Sequence, residues 1–178
     1  MKVSQEVWKQ KAEALKRRRE NYTSSAQNGI DVYKYCLSKV KVGASVLDVG
    51  CGSMILKNYL PKETTYFGID PFPLNESVSA VAIETELLCF PEEINTVFCM
   101  ASLDNCYDLE LALKNISNIA RNNIVILSGI NIEPNEYHTL KITMNDLSVA
   151  FADFRITHNE MISPKLYLIE FTRKKIKT

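Results

Sequence analysis

The chain has no apolar run approaching the ~20 residues a helix needs to cross a bilayer, which argues against a membrane-spanning helix. Its first residues are charged rather than apolar, so no signal peptide is expected and the cytoplasm is the expected compartment. Histidine is scarce, with two in 178 residues. The five cysteines (Cys36, Cys51, Cys89, Cys99, Cys106) include no Cys-x-x-Cys pair. Odd in number and set in apolar stretches, they predict buried reduced thiols rather than disulfides or a zinc site, and no metal is expected. Net charge is zero but unevenly spread. Residues 1–20 hold seven Lys/Arg against three Glu, the tail from Phe171 adds four more Lys/Arg, and the 150 residues between carry −8. An acidic middle argues against a broad nucleic-acid surface.

Hydrophobic content of 46% and charged content of 24% are those of an ordinary globular protein, and 178 residues suit a single domain. The organising stretch is Ser45-Val-Leu-Asp-Val-Gly-Cys-Gly52. Val46, Leu47 and Val49 make the apolar, partly β-branched run of a buried parallel strand. It runs into Gly50-Cys51-Gly52, and Ser53-Met54-Ile55-Leu56-Lys57 reads as the first turn of a helix opened by Ser53. A strand, a glycine turn and a helix N-terminus let the backbone approach a ligand closely and point free N–H groups at it. A second run, Tyr66-Phe67-Gly68-Ile69, ends in Asp70, 20 residues after Gly50. A carboxylate there suits the hydroxyls of a ribose.

A dinucleotide fingerprint would want a third glycine at position 55, where this chain has Ile, and it leaves Asp48 unexplained. The block Val-Leu-Asp-Val-Gly-Cys-Gly-Ser followed by Phe-Gly-Ile-Asp instead resembles the first two motifs of class I S-adenosylmethionine-dependent methyltransferases. The pattern in that family usually carries a further Gly where this chain has Met54. A second resemblance, to small bacterial methyltransferases of the "type 11" kind, spans Glu84-Thr-Glu-Leu-Leu-Cys-Phe-Pro91, the strand-like Ile94–Ser102, and Leu103-Asp-Asn-Cys-Tyr-Asp108. Cys89 stands for the usual first Pro, and Asn105 stands where many relatives carry His.

The resemblance covers about Ala44 to Arg173. It implies an α/β fold: a three-layer Rossmann-like sandwich whose mostly parallel seven-stranded sheet ends in an antiparallel hairpin. It also implies S-adenosyl-L-methionine as cofactor. Carried over residue by residue, Asp48, Gly50, Cys51, Gly52, Asp70 and Pro71 belong to the cofactor site. Glu84, Thr85 and Glu86 would lie near the adenine, and Ala101, Ser102 and Leu103 along the cofactor.

Before this domain (41–178), residues 1–40 predict two helices, the second packing on the sheet, and the resemblance implies that such helices cover the sheet or the cofactor site. The first, about Ser4 to Glu20, has a narrow stripe of Val7, Trp8, Lys11, Ala12 and Leu15, with Lys16–Arg19 as a solvated face. The second runs from Ile30 to Val40 after a polar loop that includes Tyr22. Pro61 stops the helix 53–60. Only ten residues, two of them proline, separate Asp70 from a third apolar run, Val81–Ile83. That predicts a shortened second crossover. Asp108 caps a helix carrying Leu109, Ala112, Leu113, Ile116 and Ile119 at helical spacing. A fifth buried strand lies within 122–129. Ile130–Thr139 forms a polar loop on the ligand-binding face. Thr143–Asp146 opens a helix whose Leu147, Ala150, Phe151 and Phe154 face inward. Two last strands joined at Ser163-Pro164 can only be antiparallel.

Methyl transfer is an in-line displacement, so the protein must chiefly align the acceptor and exclude water. A base is needed only where the acceptor is a hydroxyl or protonated amine. His138 is the best candidate for it, with Asp104, Asn105 and Tyr107 as orienting groups. No Asn-Pro-Pro-Tyr-type tetrapeptide follows the fourth strand and no nucleic-acid module is appended, which by elimination favours a small-molecule, sugar or lipid-linked acceptor. With little chain left for a deep acceptor pocket, a partner subunit (a homo-oligomer) or a large substrate would complete it. Two rivals stay open: a catalytically inactive scaffold on the same fold, and a nicotinamide-dependent enzyme on a similar sheet.

Overall fold

A computed structural model of the protein describes residues 1–20, 31–74, 76–85, 90 and 93–175, with the backbone alone for 13–20. Six strands form one sheet: β1 (Ser45–Val49), β2 (Thr65–Ile69), β3 (Thr96–Met100), β4 (Asn123–Gly129), β5 (Phe154–Ser163) and β6 (Leu166–Arg173), in the order β2-β1-β3-β4-β6-β5. β1 pairs in parallel with β2 and β3, and β3 with β4. β6 runs antiparallel between β4 and β5. Among the described residues four α-helices accompany it: α1 (Gln5–Glu20), α2 (Val32–Lys39), α3 (Leu109–Ile119) and α4 (Met144–Ala150).

The alternation of side chains along each strand divides the core into two layers. Leu47, Val97, Cys99, Ile124 and Ile126 point to one face, where α3 and α4 supply Leu113, Ile116, Leu147 and the chain continues with Phe151. Val46, Phe98, Val125 and Leu127 point to the other, against Tyr33 and Cys36 of α2 and Leu56. Nearly all of these are under a tenth exposed, as a sheet covered on both faces requires. This is the three-layer arrangement expected from the sequence.

Among the described residues the sheet has six strands rather than the expected seven. After Asp70, Pro71 and Pro73 prevent a crossover helix, and the chain doubles back at once. It touches β2 through a single parallel bridge at Ser79, whose N–H donates to Gly68 O at 3.2 Å and whose O accepts Asp70 N–H at 3.1 Å. Val81 N–H then bonds back to Ser79 O at 2.8 Å. That tight turn carries Val81–Ile83 away before a third strand can pair. The segment 53–60 also departs from expectation. It is a 3₁₀ turn over Ile55–Tyr59 instead of an α-helix, and Ser53 does not cap it.

The other elements form where the residues direct them. Asp108 accepts Leu111 N–H at 3.2 Å and opens α3. Thr143 and Asp146 close a reciprocal capping box at the start of α4. Phe154, expected on that helix, begins β5 instead and is still buried. On α1, Trp8 and Ala12 are buried while Val7 turns outward; the side chain of Leu15, the side chains of Lys16–Arg19, and Tyr22 fall outside the described residues.

Candidate active site

The carboxyl ends of β1, β2, β3 and β4 meet in a cleft of about 450 Å³, within the size range of small-molecule sites. Gly50 opens it. Its φ of +69° lies in the left-handed region, and a Cβ there would stand 2.4 Å from Ser102 Cβ. Only glycine lets β1 turn this close to the chain leaving β3. Ser102 Oγ in turn donates to Val49 O at 2.5 Å, fastening the two strand ends. Gly52, with φ +51°, is different: a Cβ built there meets nothing within 4 Å.

The turn's amides are engaged within the fold rather than free. Gly50 N–H and Cys51 N–H both donate to Ile69 O, at 2.8 and 3.1 Å, and Met54 N–H donates to Cys51 O at 2.8 Å. Gly52 N–H donates to Asp70 Oδ2 at 3.0 Å, while Asp70 Oδ1 accepts Phe72 N–H at 2.8 Å. The sequence reading of free amides at a helix N-terminus is corrected on both counts. What the turn offers is an open glycine face beside a carboxylate. Met54 explains the family's usual glycine: its φ of +59° is a conformation that suits residues without a Cβ.

Of the residues singled out from the sequence, Gly50, Cys51, Gly52, Asp70, Pro71, Ala101, Ser102, Asp104, Asn105 and His138 line the cleft. Asp48 lies just beneath, 2% exposed, and accepts the Tyr66 hydroxyl at 2.8 Å. Burial pushes its carboxyl up to about 7; the Tyr66 hydrogen bond works the other way, and the nearby Asp70 charge adds to the rise. Burial likewise pushes the Cys51 thiol up to about 12, so it is a neutral wall and not a nucleophile.

Glu84, Thr85 and Leu103 are not among the described residues that line the cleft. Leu103 is core, 1% exposed. Glu84 is buried and accepts Tyr107 N–H at 2.7 Å, and burial raises its carboxyl above the usual range. Asn115 of α3 holds Ile83 O and Thr85 O at 2.7 and 3.1 Å. Beyond the turn at Ser79, these bonds draw the segment and its acid toward α3. Glu86 and Cys89 fall outside the described residues.

The structure also joins two candidates that lie 34 residues apart. Asp104 Oδ2 and His138 Nδ1 are in direct contact. Asp104 O accepts the main-chain N–H groups of Thr139 and Leu140 at 3.0 and 2.9 Å, which pins the loop after β4 to the turn after β3. Asn105 Oδ1 accepts the Thr139 hydroxyl at 3.3 Å. Sequence reasoning missed Tyr33 of α2, Ile132, and the hairpin residues Ser163, Pro164 and Leu166 as cleft walls. The Ser-Pro turn was visible in the sequence, but nothing in it says that the hairpin leans over the site.

The start of the chain crosses this end of the sheet. Val3 N–H donates to Tyr107 O at 2.9 Å, and Trp8 Nε1 donates to Asn105 O at 2.8 Å. The indole packs against Phe72 and Tyr107, with ring centroids 5.2 and 5.1 Å away.

The sequence matches no protein-family model and no curated protein. Solved structures do match its shape. The plantazolicin methyltransferase BamL, in complex with a substrate analogue and S-adenosylhomocysteine, superposes with TM-score 0.66 at 15% identity over 93% of this chain and 91% of that one. The Burkholderia thailandensis 1,6-didemethyltoxoflavin-N1-methyltransferase gives 0.61 at 17% over 93% and 90%. The magnesium protoporphyrin IX methyltransferase of Synechocystis PCC 6803, with bound S-adenosylmethionine, gives 0.58 at 12% over 98% and 87%. The fold is that of the class I methyltransferases. Identities this low carry the architecture and nothing finer.

Two outcomes follow for variants of the methyltransferase-like turn. Gly50→Ala is expected to cost more than about 2 kcal/mol in denaturant unfolding, because strain adds to a clash with Ser102 Cβ, whereas Gly52→Ala costs only about 1. Equal losses would contradict the geometry. Asp48 has a folded-state pKa raised from 3.8 to about 7. Its contribution is therefore intact below the unfolded value and lost as pH climbs through the folded one. Asp48→Asn, which cannot ionise, should melt above the wild type at about pH 8, by on the order of a few kcal/mol, with the gap closing toward about pH 4. A gap that ignores pH would show that the carboxyl titrates normally.

Proposed function

We propose that the protein transfers a methyl group from S-adenosyl-L-methionine to a small-molecule, sugar or lipid-linked acceptor. The observation carrying this reading is the open space over Gly52 next to Asp70 and inside the common cleft. A Cβ at position 52 would project into room that nothing in the described chain occupies, which is what a ligand lying against bare backbone needs. Asp70 accepts Gly52 N–H on one oxygen and Phe72 N–H on the other, and each oxygen of a carboxylate can accept more than one hydrogen bond. The residues present therefore fit the cofactor: Gly50–Gly52 would receive its amino-acid end and Asp70 the ribose hydroxyls. Pro71, Ala101 and Ser102 would flank it.

When bound, the cofactor supplies an electrophilic methyl carbon on a sulfonium. The protein's part is alignment and exclusion of water, an orientation effect that can supply ~7–11 kcal/mol. Asp70 and Asp104 face the cleft with acidic side chains, which favours a cation there. The N-terminal segment anchored through Trp8 would act as the cover, making residues 1–40 an accessory to the domain at 41–178. Glu84 and Thr85 retain the adenine role only if their segment shifts when the cofactor enters, and Glu86 is proposed for the same role. Where the scaffold reading would have the cleft closed by Met54 or the prolines, neither Met54 nor Pro73 lines it, and Pro71 forms one wall. No helix among the described residues is long and apolar enough to cross a membrane, and the described cysteines are free, which suits the cytoplasm.

Calorimetry tests this directly. S-adenosylhomocysteine should bind the wild type in the micromolar range. Losing the Asp70 hydrogen bonds in Asp70→Ala should cost about 1.5–3 kcal/mol, at least tenfold in Kd. Gly52→Val, which keeps Asp70 but fills the open space, should abolish binding while the protein stays folded. No binding by the wild type at millimolar ligand would overturn the reading.

A further inference from the structure

The walls that α2, the loop after β4 and the β5–β6 turn give to the cleft are aromatic and apolar: Tyr33, Ile132, Tyr137, Pro164 and Leu166. Into the same cleft the fold sets one acid–base pair, Asp104 with His138. The Asp104 side chain is only 6% exposed, and that of His138 is 28% exposed. A carboxylate accepts hydrogen bonds and cannot donate them, so Nδ1 of His138 carries the proton between the two and Nε2 is the basic nitrogen. The pair does not depend on a loose loop. Asp104 O holds Thr139 and Leu140, and Asn135 Oδ1 accepts the N–H groups of Tyr137 and His138 at 2.8 and 3.1 Å. Other charged groups lie at the loop: Glu133 pairs with Lys141 at 2.5 Å, and the Lys11 ammonium of α1 donates to the main-chain oxygens of Asn135 and His138 at 3.0 and 3.5 Å. Lys11 thus fastens the loop through its backbone, while Asp104 is in direct contact with the imidazole ring.

We infer that the acceptor is a weakly acidic hydroxyl on an apolar, phenol-like frame, and that His138, positioned by Asp104, removes its proton. The inference rests on the methyl-transfer reading and narrows it. An acceptor nitrogen with a free lone pair has no use for a base, and a buried carboxylate behind a histidine is costly unless a positive charge forms beside it. In the step, the O–H bond breaks and its proton goes to His138 Nε2. The oxygen's electron pair forms the new O–CH₃ bond as the carbon–sulfur bond breaks with its pair kept on sulfur. A methyl ether, a neutral thioether and an imidazolium facing Asp104 result. Tyr33, whose ring stacks on Tyr59 with centroids 5.9 Å apart, and Tyr137 supply aromatic wall for the frame.

The probe is 4-nitrophenol, whose ionised form has its own absorption band, read at a pH well below the phenol's own pKa and without any turnover. The wild-type protein should hold it with about tenfold more phenolate than free solution, a shift of one unit. His138→Asn should abolish that excess, and Asp104→Asn should move the half-ionisation of the bound phenol to higher pH. Nitrobenzene, the same frame without the hydroxyl, should bind all three proteins alike, showing that the cleft is intact. Failure of the wild type to bind 4-nitrophenol, binding in the neutral form, or equal ionisation in the variants would each overturn the inference. If S-adenosylhomocysteine still binds in those cases, the acceptor class alone falls. If it does not bind, the methyl-transfer reading falls and takes this one with it.

Discussion

The tips of β1 and β2 are locked together, and the rest of the molecule is built around that lock. Ile69 O accepts two successive amides, Gly50 N–H and Cys51 N–H, and Asp70 takes the next one, Gly52 N–H. Three bonds over so short a span force β1 to reverse direction hard against its neighbour. Such packing tolerates no side chain at position 50, and a Cβ at Gly68 would stand 2.9 Å from Cys51 Sγ. The outcome is a bare stretch of backbone at the mouth of a cleft with an acid fixed beside it. Beneath lies the Asp48–Tyr66 pair, a buried polar contact that ties the two strands from inside.

The opposite wall is held by a different set of bonds. The turn after β3 is clasped from one side by the chain's beginning, through Trp8 and Val3, and from the other by the loop after β4. Lys2 adds an ion pair to Asp108 at 3.1 Å, close to the start of α3. Asp104 and His138, in contact with each other, are therefore supported from three separate parts of the sequence. Loops that carry chemistry need such support, because a misplacement of an ångström at the reacting atoms is expensive.

Much of this was legible in the residues. A β-branched run ending in Gly-x-Gly, and a second run ending in Asp, name β1 and its edge neighbour β2, though not the bonds that lock their tips together. Asp108 and the Thr143/Asp146 box announce α3 and α4 in their own short-range chemistry. What stayed hidden depends on competition between distant partners. Val81–Ile83 has the composition of a strand, yet Ser79 captures the turn before it and α3 captures the chain after it. Glu84 resembles an adenine-side acid, yet the unpaired N–H of Tyr107 claims it. The contact of Asp104 with His138 spans a strand and a helix, and local spacing cannot report it.

The most direct test of this account is a crystal structure of the protein with S-adenosylhomocysteine. Ligand density is expected against the Gly52 backbone, with sugar hydroxyls on Asp70 and the sulfur turned toward His138. Density elsewhere in the fold, or a ligand whose sugar turns away from Asp70, would contradict it.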